Sequence, residues 1–511
     1  MEILNFLFQG FAVALTPFNI MMALAGTFIG TAVGMLPGIG PVNGIVVLIP
    51  LTYALGLPPE SSLIMFAGIY YGSQYGNSIS AILLNVPGTS SAVMTALEGN
   101  AMTKKGRAGP ALAMSAIASF FGGTVSVVAL MLFAPALAKW AIRFGPAEYF
   151  ALMIFAFSTL SSLSGKNLVK GLIATLIGLM LATVGLDPVS AVDRYTFGQL
   201  KLLDGLDFVV VVIGFFAINE ILRYAENIHQ DQEVFTKLGR VMITTKEFAM
   251  SFWTMVRGAA IGFFVGVLPG AGGTISSFVA YTTEQRLVDR HGTFGTGDIR
   301  GVAAPEAANN ASANGAMIPL LTLGVPGSET TAVMLGALLG MNITPGPLFI
   351  ANNPTVFWGL IASMYVGNIL LLILNLPLVG IFVRILKVPG WFLMPAVVAV
   401  SFVAVYSVNN SPFDILLMAA FGLMGYLLYK MEFPLASVIL GLVLGPLVEN
   451  NLRRAMSLSD GDWTYLFSSP ISIGLWIAAI ASLFLPLVIK RFSAASTIAD
   501  EMEEVELVEV D

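Results

Sequence analysis

The sequence predicts an all-α polytopic membrane protein built from two related halves, and three observations indicate this fold class. The chain is hydrophobic and carries few charges, it contains the same two Gly- and Pro-rich motifs twice, and its Lys and Arg residues are distributed oppositely in the two halves. Together these features predict two inverted-topology repeats that contain broken helices and re-entrant hairpins.

The composition excludes an ordinary soluble protein. Of the 511 residues, 57% are hydrophobic and 11% are charged, whereas soluble domains carry roughly a quarter charged residues. So few charges cannot cover a water-facing surface. The 52 Gly and 26 Pro residues fit closely packed and interrupted transmembrane helices. The chain contains no Cys, which excludes disulfides and thiolate-bound metals.

Apolar runs cover most of the chain. A membrane-spanning helix needs about 20 residues, so the longest runs, at 62–97 and 305–340, must each hold more than one helix or a re-entrant hairpin. We expect about eleven to fourteen spanning helices and two hairpins.

The first duplicated motif reads Gly-Met-Leu-Pro-Gly-Ile-Gly at 34–40 and Gly-Val-Leu-Pro-Gly-Ala-Gly at 266–272. Pro removes a backbone donor and Gly has no steric preference, so each motif predicts a broken helix. Freed backbone groups at membrane depth must face a protein interior or a cavity, and paired breaks indicate a transporter's binding site. A packing kink between helices is the alternative. The break glycines predicted to bind substrate are Gly38, Gly40, Gly270, Gly272 and Gly273.

The second duplicated motif is Val-Pro-Gly followed by hydroxyl residues, at 86–91 and 325–331. We interpret each copy as the tip of a hairpin. Hydroxyl and carbonyl oxygens suit Na⁺, and helix N-terminal amides suit carboxylates; hydroxyls that only satisfy their own helix are the alternative. The predicted substrate contacts here are Gly88, Thr89, Ser90, Gly327, Ser328 and Thr330, and the predicted coupling-ion contacts are Ser91, Thr274, Glu329 and Thr331.

Polar side chains at membrane depth form a third candidate group. Buried amides need partners, which either a ligand or an interhelical hydrogen bond could supply. Charged residues at depth are rare and usually functional, which singles out Glu329 and Glu306. Glu329 could bind Na⁺ or a proton, whereas Glu306 could instead lie at the interface and cap the helix after Pro305. The amides predicted to bind substrate are Asn43, Asn77, Asn310 and Asn314.

Several function classes have no support in the sequence. It contains neither a Gly-x-x-x-x-Gly-Lys-Ser/Thr loop nor a His-Glu-x-x-His helix, which argues against an ATP-driven pump and a zinc protease. We predict no enzyme activity, no organic cofactor, no transition metal and no nucleic-acid partner.

The positive-inside rule distinguishes an inverted repeat from a parallel one. Before the first break, residues 1–10 hold no Lys or Arg, whereas 223–257 before the second break hold five. After the hairpin motifs the pattern reverses, because 104–107 is basic and 341–355 is not. Matching elements therefore enter from opposite faces, with the N-terminus outside and the C-terminus in the cytoplasm. The predicted parts are a first half at 1–222, a cytoplasmic linker at 223–254, a second half at 255–490 and an acidic cytoplasmic tail at 491–511.

The chain resembles the large membrane subunit of tripartite tricarboxylate transporters, the TctA family, nearly throughout, up to about residue 490. The resemblance rests on the two breaks, on Tyr-Thr-Thr-Glu-Gln-Arg at 281–286, on Pro-Glu-Ala-Ala-Asn-Asn-Ala at 305–311 and on the second hairpin motif with the apolar residues before it, at 318–328.

This resemblance implies a receptor-dependent secondary transporter of the bacterial inner membrane that imports a di- or tricarboxylate or a related organic acid. The implied partners are a periplasmic solute-binding protein and a small membrane subunit of about four helices, with a Na⁺ or H⁺ gradient and no ATPase subunit. An elevator-type motion is implied by likeness to other hairpin-bearing transporters. The chain departs from the family at 41–43 and at Glu329, so the carboxylate that it carries stays open. A stand-alone organic-anion permease or facilitator that needs no receptor is the alternative function.

Overall fold

The computed structural model describes residues 2–36, 39–163, 167–226, 238–290, 292–386, 388 and 390–493, and the regular structure within them is almost wholly helical. In the first half the helices are α1 (Glu2–Ala14), α2 (Pro17–Met35), α3 (Gly40–Ala54), α4 (Pro59–Leu84), α5 (Val93–Lys104), α6 (Ala108–Ala141), α7 (Pro146–Leu163), α8 (Leu168–Ala182), α9 (Phe208–Ile213) and α10 (Asn219–Glu226).

The second half continues with a comparable set. Its helices are α11 (Thr245–Val267), α12 (Gly272–Val288), α13 (Ile299–Leu323), α14 (Glu329–Gly340), α15 (Phe349–Asn352), α16 (Pro354–Asn375), α17 (Val379–Ile385), α18 (Gly390–Asn409), α19 (Pro412–Lys430), α20 (Leu435–Leu458) and α21 (Pro470–Ser493). Short 3₁₀ turns occur at Ser90–Ala92, Leu200–Leu202 and Trp463–Phe467, and the π-helical turn Gly214–Ile218 joins α9 to α10.

Capping residues fix several helix starts. The Thr16 side chain accepts a hydrogen bond from the Asn19 amide, and Pro17 occupies the first position of α2, where a missing N–H costs little. Thr244 and Glu247 form a reciprocal capping box at the start of α11. The capping box at Thr244 and Glu247 therefore specifies where α11 begins.

A row of glycines joins α2 to α4. A Cβ atom at Gly30 would lie 2.3 Å from the carbonyl O of Ile69, and Gly26 and Gly34, one turn to either side, approach α4 as closely. Only glycine permits such close contact between the two backbones. The first half is therefore built on a helix pair with almost no space between its members.

The same packing recurs in the second half, between α11 and α13. A Cβ atom at Gly262 would lie 2.2 Å from the carbonyl O of Ala308, and Gly258 and Gly266 flank this contact. Each of these glycines follows its counterpart in the first half by 232 residues. The two halves thus share one helix-pair design.

The inner members of the two pairs, α4 and α13, are buried over nearly their full lengths. The other helices pack around them through further close contacts. Gly10 of α1 lies against the backbone of Trp358 in α16, and Gly178 of α8 lies against that of Val438 in α20. Polar groups on α4 and α13 must therefore find partners inside the protein.

A short antiparallel hairpin, β1 (Gly185–Leu186) and β2 (Asp193–Arg194), precedes α9. Ion pairs hold it to α20. Arg194 Nη1 lies 2.9 Å from Glu449 Oε1, and Arg453 Nη2 lies 2.6 Å from Asp187 Oδ2. This network fixes the connection between α8 and α9 on the helical bundle.

Seven helices in the described part of the chain are long and apolar enough to cross a membrane, and six shorter helices are also apolar. The helices α4 and α13, with 26 and 25 residues, are long but too polar to count among the seven. The all-α polytopic architecture agrees with the sequence analysis, and the eleven to fourteen spans expected there stay a prediction.

Candidate functional site

Each predicted break is a place where one helix ends and the next begins on a left-handed glycine. The helix α2 ends at Met35 and α3 begins at Gly40, which has a φ of +63°. The helix α11 ends at Val267 and α12 begins at Gly272, with a φ of +54°. Side chains rarely tolerate this conformation, so both restarts need glycine. Gly38 lies outside the described residues.

The two hairpin tips also have matching backbones. Asn85, directly after α4 and before the first tip, has a φ of +60°, and Gly324, directly after α13 and before the second tip, has a φ of +70°. Gly88 packs tightly on the first break, since a Cβ atom there would lie 1.9 Å from the carbonyl O of Gly34. The first tip therefore lies directly against the end of α2.

Each tip then leads into a short helix. After the first tip the 3₁₀ turn Ser90–Ala92 runs into α5. After the second, Ser328 caps α14 through a reciprocal pair of hydrogen bonds with Thr331. The hydroxyls of the second tip therefore serve in part to start a helix, which is the alternative interpretation of such hydroxyls.

Three hydrogen bonds connect the two tips to the second break and to α4. The Gly270 amide donates to the carbonyl O of Gly327 at 3.0 Å, which joins the second break to the second tip. Across the two halves, the Ser90 and Thr274 hydroxyls lie 2.7 Å apart. The Tyr70 hydroxyl of α4 lies 3.1 Å from that of Ser328. The two breaks and the two tips therefore lie next to one another in the protein.

These four segments line a cavity of about 1090 Å³. It has the size of a small-molecule site, and the first helical turns of α3, α12 and α14 and the 3₁₀ turn before α5 all contribute to its wall. The predicted residues on the wall are Gly40, Asn43, Gly88, Thr89, Ser90, Ser91, Gly270, Gly272, Gly273, Thr274, Ser328, Glu329 and Thr330.

Other predicted residues lie behind this wall. The Asn77 amide donates to the hydroxyls of Thr89 and Ser91 at 2.7 and 3.0 Å, so it supports the first tip from α4. Thr331 caps α14, and Gly327 packs against Ala316 of α13. These residues position the tips and do not line the cavity.

The two predicted asparagines of α13 also bond within the protein. Asn310 donates to the carbonyl O of Glu306 at 3.1 Å, and Asn314 donates to Ser126 Oγ at 2.6 Å and to the carbonyl O of Gly123 at 2.9 Å. The interhelical alternative therefore describes Asn314. Asn309, by contrast, is buried, and among the residues that the structure describes neither its amide N nor its O has a hydrogen-bond partner. Its Oδ1 would lie 2.5 Å from a Cβ atom at Gly273.

A second wall of the cavity was missed by the sequence analysis. It comes from α4, from α7, from the π-helical turn with α10, and from the end of α19 with the segment that joins it to α20. Nothing in the duplicated motifs indicated these residues, although Tyr70 and Gln74 lie one or two turns before the predicted Asn77 on a buried helix. The wall residues not predicted include Tyr70, Gln74, Leu160, Phe216, Asn219, Glu220, Arg223, Tyr429, Lys430 and Phe433.

The cations of this second wall already have acidic partners. Arg223 bonds to Glu220 at 2.8 Å, and its guanidinium carbon lies 3.9 Å from the centre of the Tyr429 ring. Lys430 forms an ion pair with Glu226. In contrast, Glu329 faces the cavity and makes no hydrogen bond or ion pair with the residues that the structure describes.

Two further carboxyl groups are buried near the first tip. Glu306 lies inside α13 rather than at the interface, because Pro305 is itself within the helix, and its oxygens accept hydrogen bonds from Thr95 and Ser119. The sequence analysis missed Glu98 of α5, which accepts the Tyr281 hydroxyl and the backbone amides of 295, 297 and 298. Glu98 thereby ties the first hairpin to the segment before α13.

No group of three or more His, Cys, Asp or Glu side chains within the described ranges is placed to hold a metal ion. The breaks, the tips and the cavity between them lie in an all-α chain whose long apolar helices are those of a multi-pass membrane protein.

The chain belongs to the tripartite tricarboxylate transporter TctA family, which it matches over residues 20–440, and this confirms the resemblance. It is 44% identical over 490 residues to an uncharacterized 52.8 kDa protein of the TAR-I ttuC' 3' region of Agrobacterium vitis, covering 95% of this chain and 97% of that protein. It is 46% identical over 228 residues to an uncharacterized protein of the TAR-II ttuC' 3' region of Agrobacterium vitis, and this match covers 44% of this chain and 94% of that protein. No solved structure matches the chain.

Proposed function

We propose that this chain is the large membrane subunit of a receptor-dependent, ion-gradient-driven transporter that imports a di- or tricarboxylate or a related organic acid. The observation that carries the proposal is the convergence of four helical N-termini on one cavity, at residues 39–43, 89–91, 270–275 and 328–330. Helix N-termini present unpaired amides and a partial positive charge, so together they favour an anion.

The electrostatics of the wall support a site built on backbone amides. Arg223 and Lys430 are already paired with Glu220 and Glu226, so a carboxylate would depend on the amides of the helix N-termini and on the hydroxyl and amide side chains of the wall. Glycines at these positions allow a ligand to approach the backbone closely. A substrate with two or three carboxylates could engage both breaks, which face the same cavity.

The coupling ion would neutralise charge beside this anion site. Glu329 has no partner among the described residues, and its negative charge would repel a carboxylate in the same cavity unless a cation were bound as well. Ser91 and Thr274 supply hydroxyl oxygens to the same wall, and Thr331 lies behind it. Na⁺ or H⁺ would fill this role, and the protein would then bind substrate and cation together.

The duplicated packing supports the two-repeat architecture. The glycine rows of α2 and α11, the left-handed restarts at Gly40 and Gly272 and the two tips recur in the same order. With the opposite distributions of Lys and Arg, this favours an inverted repeat with a periplasmic N-terminus and a cytoplasmic C-terminus. An elevator-type movement is part of this proposal, by likeness to other hairpin-bearing transporters.

Membership of a tripartite family supports the remaining parts of the proposal. A periplasmic solute-binding protein would deliver the carboxylate, and a small membrane subunit would accompany this chain in the bacterial inner membrane. The gradient would supply the energy, since no nucleotide-binding motif occurs in the sequence.

Uptake into proteoliposomes tests the proposal. The vesicles would hold this chain with its small subunit, and the receptor would be added outside with radiolabelled citrate or succinate under a Na⁺ gradient, a pH gradient or neither. We expect uptake that needs the receptor and one gradient. Uptake without the receptor would favour the stand-alone permease, and uptake that ignores both gradients would overturn ion coupling.

A variant of Glu329 tests its role in the same assay. Glu329→Gln is expected to change the ion dependence of uptake, because it removes the unpaired carboxylate of the cavity. Glu60→Gln is the matched control, since Glu60 also lies in the first turn of a helix but outside the cavity. An ion dependence that is the same in both variants and the wild type would exclude Glu329 from coupling.

A further inference from the structure

Glu306 is a fully buried carboxyl group in the middle of the protein, with 0% of the residue exposed. Thr95 Oγ1 donates to its Oε1 at 2.6 Å, and Ser119 Oγ donates to its Oε2 at 3.1 Å. Within the residues that the structure describes, no Lys, Arg or His and no backbone N–H bonds to this carboxyl. Its hydrogen-bond donors there are neutral hydroxyls, those of Thr95 and Ser119 together with the nearby Ser115.

Two other buried carboxylates, Glu98 and Glu284, have backbone amides or an arginine as hydrogen-bond donors. Glu98 accepts backbone amides at 2.7 and 2.8 Å from residues 297 and 298, in addition to the Tyr281 hydroxyl. Glu284 pairs with both Arg257 Nε at 2.9 Å and Nη2 at 2.6 Å. A buried charge is costly without such partners, and Glu306 has neither kind. Its charged form would therefore need a cation, and none of the described residues provides one.

None of the described residues around Glu306 supplies such a charge. The helices packed against this part of α13 are α4, α5, α6, α11 and α12. Tyr75 of α4 faces Glu306 but donates its hydroxyl to Asn368 at 2.6 Å, and α6 contributes hydroxyls. Away from the helix ends, these helices carry a small set of other titratable groups. They are the remaining tyrosines of α4, the bonded pair of Glu98 and Tyr281, and the bonded pair of Arg257 and Glu284.

The position is connected to the cavity by a short route. Thr95 lies four residues after Ser91, which lines the cavity wall, and four residues correspond to one helical turn of about 5 Å. Thr95 is part of α5, which follows directly from the first tip. A change in the protonation of Glu306 therefore alters its hydrogen bond to α5, the helix that follows this tip.

We propose that Glu306 carries a proton during the transport cycle, taking it from water in the cavity by way of Thr95 and returning it to water on the other side. The direct contact of 2.6 Å between Thr95 and the carboxyl leaves no space for a metal ion between them, whereas a proton needs none. The inference rests on the proposed transport function. It makes H⁺ a coupling ion and gives it a binding group separate from Glu329.

Proteoliposome uptake and infrared spectroscopy test this together. Glu306→Gln is expected to abolish accumulation of citrate or succinate driven by a pH gradient, while exchange of labelled for unlabelled substrate continues, because exchange needs no net proton movement. Thr95→Val, which removes the relay hydroxyl with little change of shape, should slow gradient-driven uptake more than exchange. A loss of both modes in equal measure would indicate a structural role and overturn the proposal.

Infrared difference spectra at two pH values give a readout that does not depend on transport. A carboxylic-acid C=O band that changes with pH is expected in the wild type and in Glu329→Gln, and should be missing from Glu306→Gln. If Glu306→Gln is not recovered folded, Glu306→Asp should keep gradient-driven uptake and show a shifted band. An unchanged band in either Glu306 variant would refute the proposal. Failure of wild-type uptake would refute the transport function but leave the infrared result decisive for Glu306.

Discussion

The glycine row of the second half gives the sharpest test of the packing. In Gly262→Ala the new methyl carbon would lie 2.2 Å from the carbonyl O of Ala308 and 2.6 Å from its Cα. Ordinary contacts are about 3.5–4.0 Å, so α11 and α13 must separate by about 1 Å. Overpacking of this kind costs roughly 1–3 kcal/mol. We expect a lower thermal unfolding midpoint for the purified protein, measured by size-exclusion chromatography after heating.

Two further variants control this experiment. Gly474→Ala lies in α21, where no atom would come within 4 Å of the methyl group. It should be neutral or stabilise by up to about 1 kcal/mol, because Ala favours helix over Gly. Gly30→Ala, the counterpart in the first half, should destabilise as Gly262→Ala does. If Gly262→Ala melts like Gly474→Ala, the close packing described here is wrong.

Three other predictions concern polar contacts. A double-mutant cycle of Ser90→Ala and Thr274→Ala should give a coupling of roughly 0.5–1.5 kcal/mol in unfolding experiments, and additive effects would mean that this link between the halves is not formed. Arg257→Met leaves the buried Glu284 without its cation, with only the Thr254 hydroxyl still bonded to it, and should cost about 3 kcal/mol, at the low end for buried pairs because the Arg side chain is 36% exposed; Glu284→Gln in the same chain should recover part of the loss. The pKa of the Asp187 carboxyl lies well below its ordinary value, because the backbone amides of Ser190 and Val189, and then the Arg453 guanidinium of α20, donate hydrogen bonds to it. The stabilisation by this carboxylate is therefore present above about pH 4 and is lost as the pH falls further, so Asp187→Asn should be less stable than the wild type at pH 7, with a difference that shrinks in acid and does not grow.

The sequence was informative wherever a local motif was repeated. Gly40 and Gly272 are recognisable because each must begin a helix with a left-handed backbone, and such a position imposes glycine in the sequence. The two tips carry the same kind of signal in Val-Pro-Gly. Two copies in the same order then indicated that breaks and tips belong to one site, and the structure places most of them around one cavity.

The second wall of the cavity could not be predicted in this way. Arg223 and Lys430 lie far apart in the chain, and each reads as an ordinary basic residue at the end of an apolar run. Their approach to the cavity depends on how the outer helices pack, which no local motif records. The same holds for Glu98, whose partners at 295–298 are distant in sequence.

Buried amides show a further limit of sequence reasoning. Asn77, Asn310 and Asn314 were selected because a polar group at membrane depth needs a partner, but that requirement does not specify which partner. Asn77 and Asn314 bond to side chains of neighbouring segments, while Asn309, next to Asn310, has no hydrogen-bond partner within the described part of the chain. Only the packing of α4 and α13 distinguishes these outcomes.

Protection of a single introduced cysteine tests most directly whether the cavity is the substrate site. The chain has no Cys, so Ser90→Cys on the cavity wall can be labelled alone with a thiol-reactive probe, and Ser468→Cys, exposed outside the cavity, serves as the control. The proposed site predicts that the transported carboxylate, identified from citrate, succinate and related acids by uptake, slows labelling at 90 and leaves 468 unchanged. Equal labelling at 90 with and without a carboxylate that the same preparation transports would contradict the site.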